Sequence, residues 1–143
     1  LSGWPACSIV RTCRDTNVLV RLLLDDEPTQ SEFARAFVRR QHDAQEPVHL
    51  LLGTLLETES VLRSRYRIPK EDIARVFAML LERSDVAVED ERAFEEALFN
   101  WRDSDGVDFT DALLCARTWC LGVERFVTFD ARAARLPHAE LLE

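Results

Sequence analysis

An acid, a hydroxyl and an amide, Asp15-Thr16-Asn17, run directly into an apolar stretch, Val18-Leu19-Val20. If a strand ends at Asp15 and a helix starts just after it, three polar side chains gather at the strand's carboxyl end. Open α/β sheets bind their ligands there. Asp and Asn also cap helices and make turns, so the triplet alone reads more simply as a cap. Three further acids downstream, each at the start of a helix or the end of a strand, favour the functional reading.

The periodicity of the chain supplies those helices and strands. Residues 8–14 form the expected first strand, although Arg11, Thr12 and Arg14 make it atypical for a central one. A short helix over 18–24 breaks at Asp25-Asp26-Glu27-Pro28. A second helix covers 29–43, with Phe33, Ala36, Phe37 and Arg40 on one face. Residues 47–52 form a strand that starts at a proline. The helix over 53–66 carries Leu55, Leu62 and Tyr66 on one stripe. Glu57 lies about 200° round from Leu55. Gly53, Ser60 and Ser64 lie near Glu57 and leave room for a ligand, whereas Glu59 points elsewhere and is expected at the surface. A helix over 69–83, a strand over 86–88 and a helix over 90–103 follow. Asp108 stands at the N-cap of a helix that Gly122 stops, with Asp111 three residues on, as in a capping box. The strand 125–129 delivers Asp130 at its carboxyl end. A short helix over 131–135 and a strand over 137–142 close the chain. This alternation predicts one α/β domain over 1–143 with a mainly parallel sheet.

Composition excludes several functions. With 143 residues, 47% of them hydrophobic, the chain can bury roughly 70% of its unfolded surface. No apolar run reaches the length of a membrane span, and the start lacks the pattern of a secretory signal. A first residue of Leu rather than Met suggests that the sequence begins inside a longer chain or after processing. A net charge of −8 argues against a broad basic surface, yet leaves room for a nucleic-acid enzyme with an acidic, metal-holding site. Of the 18 basic residues only Lys70 is a lysine, so fork-shaped guanidinium donors dominate. The four cysteines (Cys7, Cys13, Cys115 and Cys120) form no C-x-x-C pair, and no His lies at ligand spacing from them. Cys115 and Cys120 read as buried free thiols in a reducing, cytoplasmic compartment.

Right-handed crossovers place Asp15 and Asp130 at the carboxyl ends of parallel strands. If those strands are neighbours, the two acids flank a switch point toward which Glu57 and Asp111 can converge. Two carboxylates about 5 Å apart repel by about 3 kcal/mol at an effective dielectric of 20, so four together need a cation. All-oxygen ligands select Mg²⁺ or Mn²⁺, and phosphodiester hydrolysis is the natural chemistry. A phosphate-accepting receiver domain would need a lysine at a strand end. An aspartate-nucleophile phosphatase would need Asp-x-Asp-x-Thr, and four glycines leave no phosphate loop.

Four stretches in this order carry a family resemblance: Asp15-Thr16-Asn17-Val18-Leu19-Val20-Arg21; Leu56-Glu57-Thr58 with Val61-Leu62-Arg63-Ser64-Arg65-Tyr66; Asp108-Phe109-Thr110-Asp111-Ala112-Leu113; and Val127-Thr128-Phe129-Asp130. Together they resemble the PIN-domain ribonucleases, in particular the VapC toxins of toxin–antitoxin pairs. The resemblance implies a three-layer domain whose five-stranded parallel sheet, of order 3-2-1-4-5, has helices on both faces. It implies Mg²⁺-dependent endoribonuclease activity on Asp15, Glu57, Asp111 and Asp130, with Mn²⁺ as a substitute. Thr16, Asn17 and Thr128 match supporting positions, and Asp108 a frequent extra acid. Arg14, Arg21 and Arg132 are candidate phosphate contacts. A cognate antitoxin and a homodimer are implied as partners; for the dimer, large apolar groups including Phe77, Leu81, Phe99 and Trp101 exceed what one sheet face needs. Alternatives are a non-cleaving binding module, or a nuclease of RNA processing or DNA metabolism.

Overall fold

Apolar residues recur at helical spacing through most of the chain, and the computed structural model forms six α-helices and four short strands among its described residues, 16–24, 28–43 and 47–143. The side chains of 38 and 41–43 are not described, and the expected first strand, Arg14, Asp15, Cys7 and Cys13 lie outside the described residues. The chain divides into two compact units, one ending at Glu89 and the other beginning at Asp90.

In the first unit, α1 (Thr16–Leu24) buries Leu19 and Val20. It starts two residues earlier than expected, so Thr16 and Asn17 form its first turn rather than precede it; Thr16 is buried and Asn17 exposed. The helix α2 (Pro28–Asp43) turns a different face inward from the one expected. Ser31 and Ala34 are buried, whereas Phe33 is 70% exposed. Small side chains let the helices approach, and the Ser31 hydroxyl donates to the Arg21 carbonyl at 3.1 Å. Arg21 then ties three segments together. Its Nε donates to Gln30 Oε1 at 2.7 Å and its Nη1 to the Tyr66 hydroxyl at 3.1 Å.

The strands β1 (Val48–Leu50) and β2 (Val86–Val88) pair in parallel, Val48 opposite Val86 and Leu50 opposite Val88. All three β1 side chains are buried, as a parallel strand covered on both faces requires. Between them run α3 (Leu52–Ser64) and α4 (Lys70–Glu82), which bury Leu55, Leu62, Ile73, Phe77 and Leu80. Leu51, at the N-cap of α3, offers no capping side chain. Glu89 does the work instead: its Oε1 accepts from the Leu52 N–H at 2.9 Å, and its own N–H donates to the Leu50 carbonyl at 2.8 Å. Glu59, expected at the surface, is only 3% exposed. Arg63, one turn on, covers it and donates from Nε at 3.0 Å, and that pairing makes the burial tolerable.

In the second unit, α5 (Glu91–Arg102) and α6 (Phe109–Cys120) close on an aromatic cluster. The Phe109 ring meets Phe94 edge-on at 6.2 Å and Trp101 at 5.0 Å. The same helices are joined by a buried carboxylate. Asp90 Oδ1 accepts from the Ala93 N–H, capping α5, while Oδ2 pairs with Arg117 of α6 at 2.9 Å. The strands β3 (Phe126–Thr128) and β4 (Ala139–Leu141) also pair in parallel, with Arg125 bridging to Glu140. A 3₁₀ turn (Ala133–Arg135) connects them. The Cys115 thiol donates to the Pro137 carbonyl at 3.0 Å; burial first, then Glu96 and Asp111, push its pKa up to about 11. Cys115 and Cys120 are both free, but Cys120 is only half-buried.

The observed pairs are the second strand with the third and the fourth with the fifth of the expected order. A continuous five-stranded sheet is not formed among the described residues. Phe77 and Trp101, expected to be surplus for a dimer face, are buried, each within its own unit. Phe99 does remain exposed. Among the described residues no helix is long and apolar enough to cross a membrane.

The double use of Asp90 makes a graded prediction. Asp90→Asn keeps a cap and loses the ion pair, whereas Asp90→Ala loses both. We expect losses of about 1 and about 2 kcal/mol in urea unfolding. Equal stability of Asp90→Ala and the wild type would mean that this carboxylate does not join α5 to α6.

Candidate functional site

Three of the expected acids belong to the second unit. Asp108 precedes α6 with φ −75° and ψ 144°, a backbone fit for an N-cap. Its side chain makes no capping hydrogen bond, so the expected capping box does not form. The carboxylate is exposed. Asp111 occupies the first turn of α6 and is half-buried, fixed there by the neighbouring Ala112, Leu113 and Phe109, all buried. Asp130 follows β3. Its N–H donates to the Thr128 hydroxyl at 3.0 Å, and its Oδ1 accepts from the N–H groups of Arg132 at 2.8 Å and Ala133 at 3.4 Å. Thr128 thus shapes the turn that presents Asp130.

These acids feel one another. The Asp111 carboxyl is held above its ordinary range, first by burial, then by the charges of Asp108 and of Asp130. The ends of α6 and β3 therefore concentrate negative charge on a partly desolvated carboxylate. The donor set is all oxygen, which fits a hard divalent cation. Among the described residues, however, no three acidic, His or Cys side chains close into a group able to hold a metal ion.

Glu57 lies in the first unit, exposed on α3. Its neighbourhood is open: a Cβ built on Gly53 would meet nothing within 4 Å. Asp15 lies outside the described residues. Of the candidate phosphate contacts, Arg21 is held by Gln30 and Tyr66. The Arg132 side chain lies against Gly106, where an added Cβ would sit 2.9 Å from its Cδ. Gly106 has φ +72°, so both the turn and the close approach require glycine there. Glu89 was missed by sequence reasoning, although it follows a strand just as Asp130 does. The same strand-end rule finds it. His49, on β1, is buried, which lowers its pKa and keeps it neutral at pH 7.

Compared with known proteins, the chain matches the family model described as PIN domain over residues 12–139. No curated protein matches it.

The raised Asp111 pKa has a definite sign in stability. The folded state binds this proton more tightly than the unfolded chain, so Asp111 costs stability as pH rises from the ordinary 3.8 through the raised folded value. Asp111→Asn removes that dependence. We expect the wild type to lose stability relative to Asp111→Asn across this window and then hold a constant deficit. Urea midpoints measured against pH check it; a difference that is flat throughout would refute the shift.

Proposed function

The chain belongs to the PIN domain family, and from that premise we propose that it is a metal-dependent endoribonuclease acting as the toxin of a toxin–antitoxin pair. PIN domains are generally nucleases that use divalent metal ions. Support for the metal-dependent part of this proposal comes from placement: Asp111 lies in the first turn of α6 and Asp130 just after β3, and the Asp111 carboxyl is raised first by burial and further by the charges of Asp108 and Asp130. Like charges held together in this way favour a chain that takes up a cation.

In this reading Asp15, Glu57, Asp111 and Asp130 would hold Mg²⁺, or Mn²⁺ in its place. When bound, such an ion neutralises phosphate oxygens and acidifies water for attack on phosphorus. The chain's own residues do the positioning. Thr128 fixes the Asp130 turn, and the first turn of α6 sets Asp111. Thr16 and Asn17, in the first turn of α1, would orient the neighbouring Asp15, and Asp108 adds negative charge beside Asp111. Arg21 offers a guanidinium whose direction is set by Gln30 and Tyr66. It suits a phosphate oxygen of the substrate.

The proposed setting is cytoplasmic. The antitoxin would place an Arg among the acids in place of the metal's charge. A homodimer is proposed, with the exposed Phe99 of α5 at its contact. A second reading is a PIN-like module that binds without cutting, and its motive is the atypical sequence of residues 8–14, with Arg11, Thr12 and Arg14.

Cleavage of single-stranded RNA decides between them. We expect cutting that EDTA abolishes and Mg²⁺ or Mn²⁺ restores. Asp15→Asn and Asp111→Asn should each lower it about 100-fold or more while melting cooperatively. Undiminished cleavage in both variants, or after exhaustive chelation, would overturn the proposed mechanism. Binding without cleavage in the wild type would favour the second reading.

A further inference from the structure

A groove of about 490 Å³ runs between α1 and α2, lined by Asn17, Arg21, Gln30, Phe33 and Phe37 among others. Its size lies within the range of small-ligand clefts, about 300–1,000 Å³. We infer that this groove seats one unpaired nucleotide of a single-stranded RNA, its base stacked on Phe33 and its phosphate on Arg21. The inference rests on the ribonuclease reading and names how that substrate is gripped.

Four observations converge on it. Phe33 is 70% exposed, on a helix that buries Ser31 and Ala34 instead. A ring displayed in this way offers a flat π-face, which any base can cover. Arg21 lines the same groove, and its guanidinium is oriented by the Gln30 amide at 2.7 Å and the Tyr66 hydroxyl at 3.1 Å. A guanidinium held in this way keeps its positive charge at the groove, where a phosphate would be attracted to it. A second guanidinium, that of Arg65, lies 5.9 Å from the centroid of the ring of Tyr66, the residue that holds Arg21. Finally, Asn17 lines the groove two residues after Asp15.

The mixture of groups sets the occupant's chemistry. Asn17, Arg21 and Gln30 put polar groups into a lining otherwise made of Val18, Ala34, Phe33 and Phe37. A planar, polar-edged base joined to an anion matches both kinds of lining. Single-stranded recognition depends on such stacking combined with phosphate contacts.

Phe33 is exposed, so replacing it should not disturb folding. Binding of a fluorescein-labelled single-stranded RNA ten-mer of random sequence to the full chain in EDTA, and KM for its cleavage in Mg²⁺, provide the test. We expect Phe33→Ala to weaken binding and raise KM about tenfold, with kcat little changed. Phe33→Leu should behave like Phe33→Ala, because it restores bulk without a π-face. Phe33→Trp should retain affinity and show indole quenching on binding. An abasic site at one nucleotide position should weaken wild-type binding and erase its advantage over Phe33→Ala. If the wild type cleaves RNA and Phe33→Ala changes neither affinity nor KM, the inference fails and the ribonuclease reading stands. If Phe33→Ala instead shifts the sedimentation of a dimer and leaves RNA binding intact, the ring belongs to an interface between copies and the inference is again overturned. A wild type that neither binds nor cleaves RNA would overturn both.

Discussion

The partly buried Asp111 carboxylate, with like charges beside it, is the constraint on which the second unit turns. Burial disfavours its ionised form first, and the charges of Asp108 and Asp130 disfavour it further. Such an arrangement does not hold itself together, so the surrounding structure must hold it. Phe109, between Asp108 and Asp111 in sequence, is locked between Phe94 and Trp101. Buried aromatic rings of this size contribute far more than a partly screened repulsion removes. The Asp90–Arg117 pair secures the other end of the same helix packing. Asp130 is set by the backbone turn that Thr128 shapes. Rigid packing thus positions groups that would otherwise move apart, and a divalent cation would relieve the tension.

The first unit uses hydrogen bonds for a similar purpose. Glu89 carries the N-terminal turn of α3 on the end of β2, in place of a capping side chain from the helix itself. Arg21 joins α1 to α2 and to Tyr66 beyond the end of α3. Both devices span elements that are distant in sequence, and each uses a charged group as a joint. In the proposed function Arg21 has a second use, since the same fixed fork faces the groove in which a nucleotide would lie.

Local pattern made much of this legible in the sequence. The helices over α3 to α6 follow the apolar periodicity closely, and Leu55, Ile73, Phe94 and Leu113 are buried as expected. Asp130 follows β3, as the strand-end rule expects. What the sequence hid depends on partners far along the chain. The inward face of α2 is chosen by the approach of Ser31 to Arg21, which the aromatic stripe of Phe33 and Phe37 masks. Glu59 is buried because Arg63 folds over it, and alternation of polar and apolar residues carries no sign of that. Asp108 looked like a cap because its backbone is one; only the side-chain direction leaves the carboxylate out of the capping bond. The strand expected over 8–14, and Asp15 with it, falls outside the described residues.

The central claim is that the Asp111 carboxylate, strained by its neighbours, belongs to a site for a divalent cation. Calorimetric titration of Mn²⁺ into the full chain tests it most directly. It should be run at several pH values, from the ordinary carboxyl range upward, and in two buffers of different ionisation enthalpy. The account predicts saturable binding with release of a proton, both lost in Asp111→Asn. Absence of binding, or binding that survives Asp111→Asn with the same affinity and proton release, would contradict it.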